Sequence, residues 1–253
     1  MDAVIIAAGY GSRLRALGDS KPLTDICGIP MIEIGIRQAA RAGAEKVIVV
    51  TGHEAERLEA FLGELKARSG IAIEAARVAD WSVPNGYSVM AGAARAQGDY
   101  LLLMSDHIFS AGILTALARQ GAADRGVTLA VDRRLDNPLV DPDDATWVRS
   151  EGDRIKAIGK GIAPYDAVDC GAFLATHELA EAIAAAIAGG RPGSLSDGMP
   201  LLADGGRAEI MDIGDAWWLD VDEPRFHAIA EAQAPMQLPE IFARAESSPE
   251  HPS

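Results

Sequence analysis

Gly9 and Gly11 stand two apart in Ala7-Ala8-Gly9-Tyr10-Gly11-Ser12-Arg13-Leu14, directly after an apolar run that begins at Ala3. Glycines at that spacing let successive backbone N–H groups curl into an anion-binding nest with no Cβ in the way. The bases Arg13, Arg15 and Lys21 follow, against one acid, Asp19. That makes a local cationic island in a chain of formal net charge −14. Such a loop suits a phosphate ligand. A dinucleotide fingerprint would need a third glycine where Leu14 stands, and no Gly-Lys-Ser/Thr follows to make a P-loop. For the two glycines alone, a tight turn with solvated bases is the competing explanation.

Two acidic segments could do the complementary work. Ser105-Asp106-His107 closes the very apolar run Tyr100–Met104, and Trp218-Leu219-Asp220-Val221-Asp222 closes another apolar stretch. Open α/β sheets bind ligands at the carboxyl edge of their strands. Mg²⁺ is typically held by one or two carboxylates plus phosphate oxygens, so one acid from each segment would suit a metal on a nucleotide's phosphates. The plainer assignment makes Asp106 a strand-end cap, and Asp220 and Asp222 a turn and an N-cap for a helix starting near Pro224. Both can hold at once. His53 and His107 are at least as well explained by packing or hydrogen bonding as by catalysis.

Positioning these groups requires strands that end at the loops. Apolar runs at 3–8, 46–50, 71–76 and 100–104 alternate with helical spacing over 30–42, 54–68 and after Asn85. That alternation implies βαβ units and a mainly parallel sheet. The second half is less regular. Strands are expected at 127–131, 168–175 and 208–213, with helices at 178–188 and from about 224. The runs 146–149 and 154–158 flank Glu151-Gly152-Asp153 as a hairpin. Residues 1–235 are expected to form one domain, and 236–253, rich in Pro, Glu and Ser, a mobile tail.

The chain of 253 residues is 49% hydrophobic and 24% charged, enough to bury a sizeable core without staples. No apolar run reaches the ~18–20 residues that cross a bilayer, and an acid follows Met1 where a secretory leader wants bases. The acidic excess argues against nucleic acid as a partner. Two cysteines, Cys27 and Cys170, with no Cys-x-x-Cys, argue for reduced thiols and hence a cytoplasmic protein without structural zinc.

The pairing of Ala-Ala-Gly-x-Gly-x-Arg with Lys21-Pro22-Leu23 resembles the signature of the sugar-phosphate and alcohol-phosphate nucleotidyltransferases, with Ser20 where that family usually has proline. Asn85-Gly86-Tyr87-Ser88, Ser105-Asp106-His107, Val168-Asp169-Cys170-Gly171 and the 218–222 segment resemble their counterparts in CTP:inositol-1-phosphate cytidylyltransferases. The order matches from residue 2 to about residue 230. Ser105 for glycine and Cys170 for threonine are the departures; the second leaves open whether a hydroxyl is needed near the acceptor. The resemblance implies an α/β, Rossmann-like (GT-A-like) nucleotidyltransferase fold: a mainly parallel mixed sheet flanked by helices, with a small antiparallel insertion in the second half.

The same resemblance implies roles. Arg13, Lys21, Asp106 and Asp222 would carry catalysis, with Mg²⁺ on Asp106, Asp222 and, as a third ligand, Asp220. Ala7, Ala8, Gly9, Gly11, Ser12, Arg13, Lys21, Asn85, Gly86 and Ser88 would hold the nucleotide, with Thr51-Gly52-His53 bordering the base. Lys160, Tyr165 and Asp169, with Asp166, would meet the acceptor. The implied partners are CTP and a phosphorylated small molecule, inositol 1-phosphate first, giving CDP-inositol and pyrophosphate. Phosphocholine, an aminoalkylphosphonate or a sugar 1-phosphate are rival acceptors, and a non-catalytic nucleotide-binding subunit is the rival class. No membrane insertion is expected, and a homodimer is left open. Relatives often fuse this domain to a membrane synthase, which is not expected in these residues.

Overall fold

The computed structural model describes residues 1–14, 20–121 and 126–242. Its first half alternates strand and helix. β1 (Asp2–Ile6) is followed by a short ribbon, β2 (Asp25–Ile26) with β3 (Ile29–Pro30), and then α1 (Met31–Arg41), β4 (Lys46–Thr51) and α2 (Ala55–Ser69). Next come β5 (Ile73–Arg77), α3 (Gly86–Ala93), β6 (Tyr100–Met104), β7 (His107–Phe109) and α4 (Ala111–Gln120). The second half runs β8 (Val127–Asp132), β9 (Trp147–Glu151), β10 (Arg154–Gly159), β11 (Ala167–Ala175), α5 (His177–Ala188) and α6 (Leu195–Asp204). It closes with β12 (Ala208–Asp212), β13 (Trp218–Asp220), α7 (Pro224–Gln237) and α8 (Pro239–Phe242).

One nine-stranded sheet runs β5-β4-β1-β6-β11-β8-β12-β10-β9. β1 pairs in parallel with β4 and β6, so the loops leaving all three strands emerge at one edge. Strand pleating explains why the runs are apolar throughout. Val4 and Ile6 face one core with α3, α5 and α6, while Ala3 and Ile5 face the other with α1, α2 and α4. Burial of each such Ile or Val side chain contributes ~1.5–3 kcal/mol. The expected hairpin forms as β9–β10, but it joins the main sheet rather than standing apart from it. β10 pairs with β12, and β9 turns back onto the start of β11, so β11-β8-β12-β10-β9 make a closed circuit.

Three elements, α6, β7 and β13, have no periodic signature. α6 contains Gly198 and Pro200, yet a Ser194–Asp197 capping box starts it, and Gly198 lets it approach Ile183 of α5, whose side chain a Cβ there would meet at 2.7 Å. The three-residue strands β7 and β13 are too short to show a period. The boundary expected at residue 235 falls inside α7. Ala230, Ala234, Leu238 and Ile241 are buried at helical spacing against Met31, Ile34 and Phe226, so residues 236–242 are held by a core of their own. The rest of the expected tail, 243–253, lies outside the described residues. Among the described residues no helix is long and apolar enough to cross a membrane.

Candidate functional site

The glycine loop leaves β1 at the edge where β4 and β6 also end. Gly11 has φ +61°, and a Cβ there would stand 2.5 Å from Lys21 Cβ, so only glycine lets the lysine stem pass beneath the loop. At Gly9 a Cβ would meet nothing within 4 Å. No protein neighbour demands glycine at that position, which leaves the open backbone as its feature. Beside the loop lies a cavity of about 230 Å³ lined by Ala7, Ala8, Gly9, Gly11, Lys21 and Ser88, with Trp81, Asn85 and Asp106 completing its wall.

β7 and β13 bring the two acidic segments together. They pair antiparallel with Asp220 opposite His107, and Val221 N–H donates to Asp106 O at 2.8 Å. Trp218 of β13 is fixed from behind, its Nε1–H donating to buried Asp132, which Arg134 and Asn137 also engage. Among the described residues, Lys21, Arg13 and Lys160 are each paired with a carboxylate. Lys21 Nζ lies 2.6 Å from Asp106 Oδ2; Arg13 reaches Asp222 through Nη1 and Asp144 through Nη2, each at 2.7 Å; Lys160 pairs with the other oxygen of Asp144.

Burial opposes the charged forms of Asp106, His107, Asp220 and Asp222, and the balance against their neighbours differs from group to group. Asp106 sits well below the carboxylate range despite its burial, because Lys21 and His107 Nδ1, 2.8 Å away, flank it. His107 rises to about 9 against its own burial, owing to Asp220 and Asp106. For Asp220 burial prevails and lifts it to about 7, and Asp222 is raised for the same reason. Ligand oxygens of Asp144, Asp220 and Asp222 lie within 4.8 Å of one another, as do those of Asp106 and Asp220 with a nitrogen of His107. Asp220 Oδ1 is buried without a hydrogen-bond partner. A buried carboxylate oxygen without a hydrogen-bond partner, common to both acidic groups, fits a hard divalent cation, whose binding would supply the missing partner.

A second cavity, of about 220 Å³, opens on the other side of Asp106 and shares Asn85, Met104 and Asp106 with the first. Thr146, Lys160, Asp169, Gly171 and Ser196 line it. A bulge in β11 aims it. Against β8 the partner of Asp169 is Val131 and that of Phe173 is Leu129, which leaves two extra residues on β11. Gly171 sits in that bulge at φ +74°, where a Cβ would strike His107 at 2.5 Å. Its N–H donates to Asp169 Oδ1 at 2.7 Å, and burial lifts Asp169 to about 6.

Several expected site residues stand elsewhere. Tyr165 stacks on Trp147 at 4.0 Å and lines neither cavity, because β9 draws the 165–168 segment onto the sheet edge. Asp166 is engaged by Ser150 and Arg133. Gly86 packs its Cα against Gly193 O, where a Cβ would stand at 2.3 Å, so its smallness serves helix packing. Cys170 points into the core under α1 and α4 and offers the acceptor cavity no group in place of a hydroxyl. Thr51 is buried on Glu59. The side chain of Ser12, and Arg15 and Asp19 entirely, lie outside the described residues. Sequence reasoning overlooked Asp144, which binds both Arg13 and Lys160; its only signal was an Asp-rich stretch. It also overlooked Tyr10 and Ser196.

Residues 3–194 match the model of the MobA-like NTP transferase domain. The chain belongs to that family. Its similar relatives include the bifunctional IPC transferase and DIPP synthase of Rubrobacter xylanophilus, 33% identical over 231 residues, covering 90% of this chain and 51% of that protein. The protein of the same name from Aquifex aeolicus is 28% identical over 225 residues, covering 88% and 49%. The chain thus spans about half the length of these curated relatives. Among solved structures, the inositol-1-phosphate CTP transferase from T. maritima superposes with a TM-score of 0.80 at 22% identity, covering 94% of this chain and 96% of that one. That likeness establishes the nucleotidyltransferase fold.

Proposed function

We propose that this protein transfers a cytidylyl group from CTP to inositol 1-phosphate, giving CDP-inositol and pyrophosphate. The observation that carries the reading is the pair of cavities meeting at Asp106. One is walled by an open glycine backbone with Lys21 beneath it, and the other by hydroxyls, Lys160 and Asp169. Two polyanions brought to those cavities would meet beside the Asp106–Asp220–Asp222 acids. The bifunctional relatives, named for an IPC transferase, support the choice of acceptor.

A phosphate monoester has a second pKa of about 6, so its oxygen is already an anionic nucleophile at neutral pH and needs no general base. The problem is one of positioning and charge. Lys21 and the loop backbone hold the triphosphate. Arg13 exchanges its carboxylates for phosphate oxygens and offsets the charge developing on departing pyrophosphate, while Lys160 exchanges Asp144 for the acceptor's phosphate and offsets the repulsion between the two anions. Asp106, Asp220 and Asp222 would hold Mg²⁺, which would supply charge neutralisation at the phosphates. Asp169 and Ser196 accept and donate hydrogen bonds to acceptor hydroxyls. The same reading makes the protein a cytoplasmic supplier of an activated phospholipid precursor, with a homodimer compatible with it.

The test is pyrophosphate release across a matrix of nucleoside triphosphates and phosphorylated acceptors at fixed Mg²⁺. CTP with inositol 1-phosphate is expected to exceed CTP with phosphocholine by at least ~10²-fold in kcat/KM, the discrimination achieved by sites whose polar groups a wrong substrate leaves unpaired. Comparable rates, or a preference for phosphocholine or glucose 1-phosphate, overturn the inositol assignment. Absence of pyrophosphate release with every pairing of nucleotide and acceptor overturns the transferase reading.

A further inference from the structure

Three rings from three separate loops converge at the outer wall of the glycine-loop cavity. Tyr10 is the residue between the two glycines, His53 follows β4, and Trp81 lies between β5 and α3. Tyr10 and His53 meet edge-on with centroids 4.7 Å apart, and His53 and Trp81 edge-on at 4.9 Å. Tyr10 and Trp81 lie nearly parallel, 12° apart, at 5.9 Å. Trp81 lines the glycine-loop cavity and not the one holding Lys160.

The cluster is built rather than incidental. His53 N–H donates to Ala8 O at 3.0 Å, tying the loop after β4 to the first residues of the glycine loop. A Cβ at Gly52 would fall 2.7 Å from Trp81 Cβ and 2.8 Å from Ala8 Cβ, so glycine is what lets the indole close onto that junction. Asp80 Oδ1 accepts from Ser82 N–H at 2.9 Å and from Ser82 Oγ at 2.6 Å, pinning the turn that carries Trp81. Despite this support, Trp81 is 41% and Tyr10 38% exposed. Rigidly held aromatic surface left in water is the form of a stacking platform, since every nucleobase offers a π-face that would cover it.

We propose that Trp81 is the contact on which the nucleobase of the bound triphosphate stacks, with Tyr10 and His53 as the positioning residues that hold the indole at the cavity wall. The inference rests on the nucleotide reading above and adds to it a base-contacting residue whose action is independent of phosphate and metal. Stacking tolerates any base but has nothing to grip in a ligand that lacks one.

The experiment is titration calorimetry of the full chain with CTP and with inorganic tripolyphosphate, each with Mg²⁺, for the wild type, W81A and W81F. The alanine variant is expected to weaken CTP by about ten-fold or more, the range of base–aromatic stacking, while tripolyphosphate affinity stays within about two-fold. W81F should recover most of the CTP affinity. Trp81 is exposed, and thermal melting of each variant checks its fold. Equal weakening of both ligands means that the cluster merely shapes the glycine loop, and unchanged CTP affinity in W81A removes the contact; either result overturns the platform while leaving the transferase reading intact. A wild type that binds neither ligand overturns the nucleotide reading and the platform with it.

Discussion

The two cavities on either side of Asp106 are built by different means. The glycine-loop side takes its backbone surface from the residues that follow β1, with Lys21 beneath them, and its wall from residues 81–88 and the end of β6. The other side gathers side chains from the loop before β9, the end of β10, the β11 bulge and the start of α6. Its cations differ as well. Lys21 is largely buried on Asp106, whereas Arg13 and Lys160, 46% and 61% exposed, share Asp144. A backbone site leaves its signature in consecutive residues, because glycine spacing is the binding geometry itself. A side-chain site scatters its signature across the chain, and exposed cations held by side-chain carboxylates are free to exchange partners.

The largest effect expected from this contrast falls where the two sides meet. Asp106→Asn keeps the shape of the residue but removes the charge facing Lys21 and the metal. A loss of several kcal/mol of transition-state stabilisation corresponds to a fall of ~10³-fold or more in kcat, with melting little changed. Near-wild-type turnover at saturating Mg²⁺ would take Asp106 out of the metal site and leave the two cavities without a shared centre.

Truncating a cation on each side sharpens the comparison. Lys21→Ala should lower kcat/KM for CTP by about 30-fold, the weight of one largely buried charge-assisted contact, and should also slow the chemical step. Lys160→Ala should raise KM for the acceptor about five-fold and leave KM for CTP unchanged, since its exposed ammonium is screened and already shared with Asp144. Initial rates with one substrate varied and the other saturating separate the two. A Lys160 variant that loses CTP affinity as strongly as the Lys21 variant would merge the two sides into one phosphate site.

What could be read from the sequence follows the same division. β1, β4 and β6 are continuous apolar runs because both faces of the sheet are covered, and their ends carried the glycine loop and Asp106 with them. From the residues alone one acid of each segment was expected at a shared metal, and the resemblance named Asp106 and Asp222; the acid that stands opposite His107 is Asp220, through a β7–β13 pairing that three residues are too few to announce by a period. α6 stayed hidden because Gly198 and Pro200 look like helix breakers, while its capping box and packing on Ile183 outweigh them. Asp144 was lost among the acids of the 133–145 stretch, where nothing local marks the one that meets Arg13 from 131 residues away. Tyr165 and Asp166 show the opposite failure. They are polar, near in sequence to Lys160 and Asp169, and drawn out of the site by strand pairing that no local pattern encodes.

The smallest expected effect tests that last point. Tyr165 lies with its ring 24° from that of Trp147 at 4.0 Å, and Asp166 N–H beside it donates to Val148 O at 2.9 Å, so the segment belongs to the β9 edge of the sheet. Tyr165→Ala removes an aromatic pair worth ~0.5–1.5 kcal/mol beyond its area and should lower the melting temperature by a few degrees. It should leave acceptor KM within about two-fold, as expected of a surface change that touches no bound group. Thermal melting and acceptor saturation measured on the same preparation give both values. A KM raised ten-fold with melting unchanged would bring Tyr165 back to the acceptor and show that the second cavity extends past Lys160 to the Trp147 ring. The side-chain-built half of the site would then be larger than its lining residues indicate.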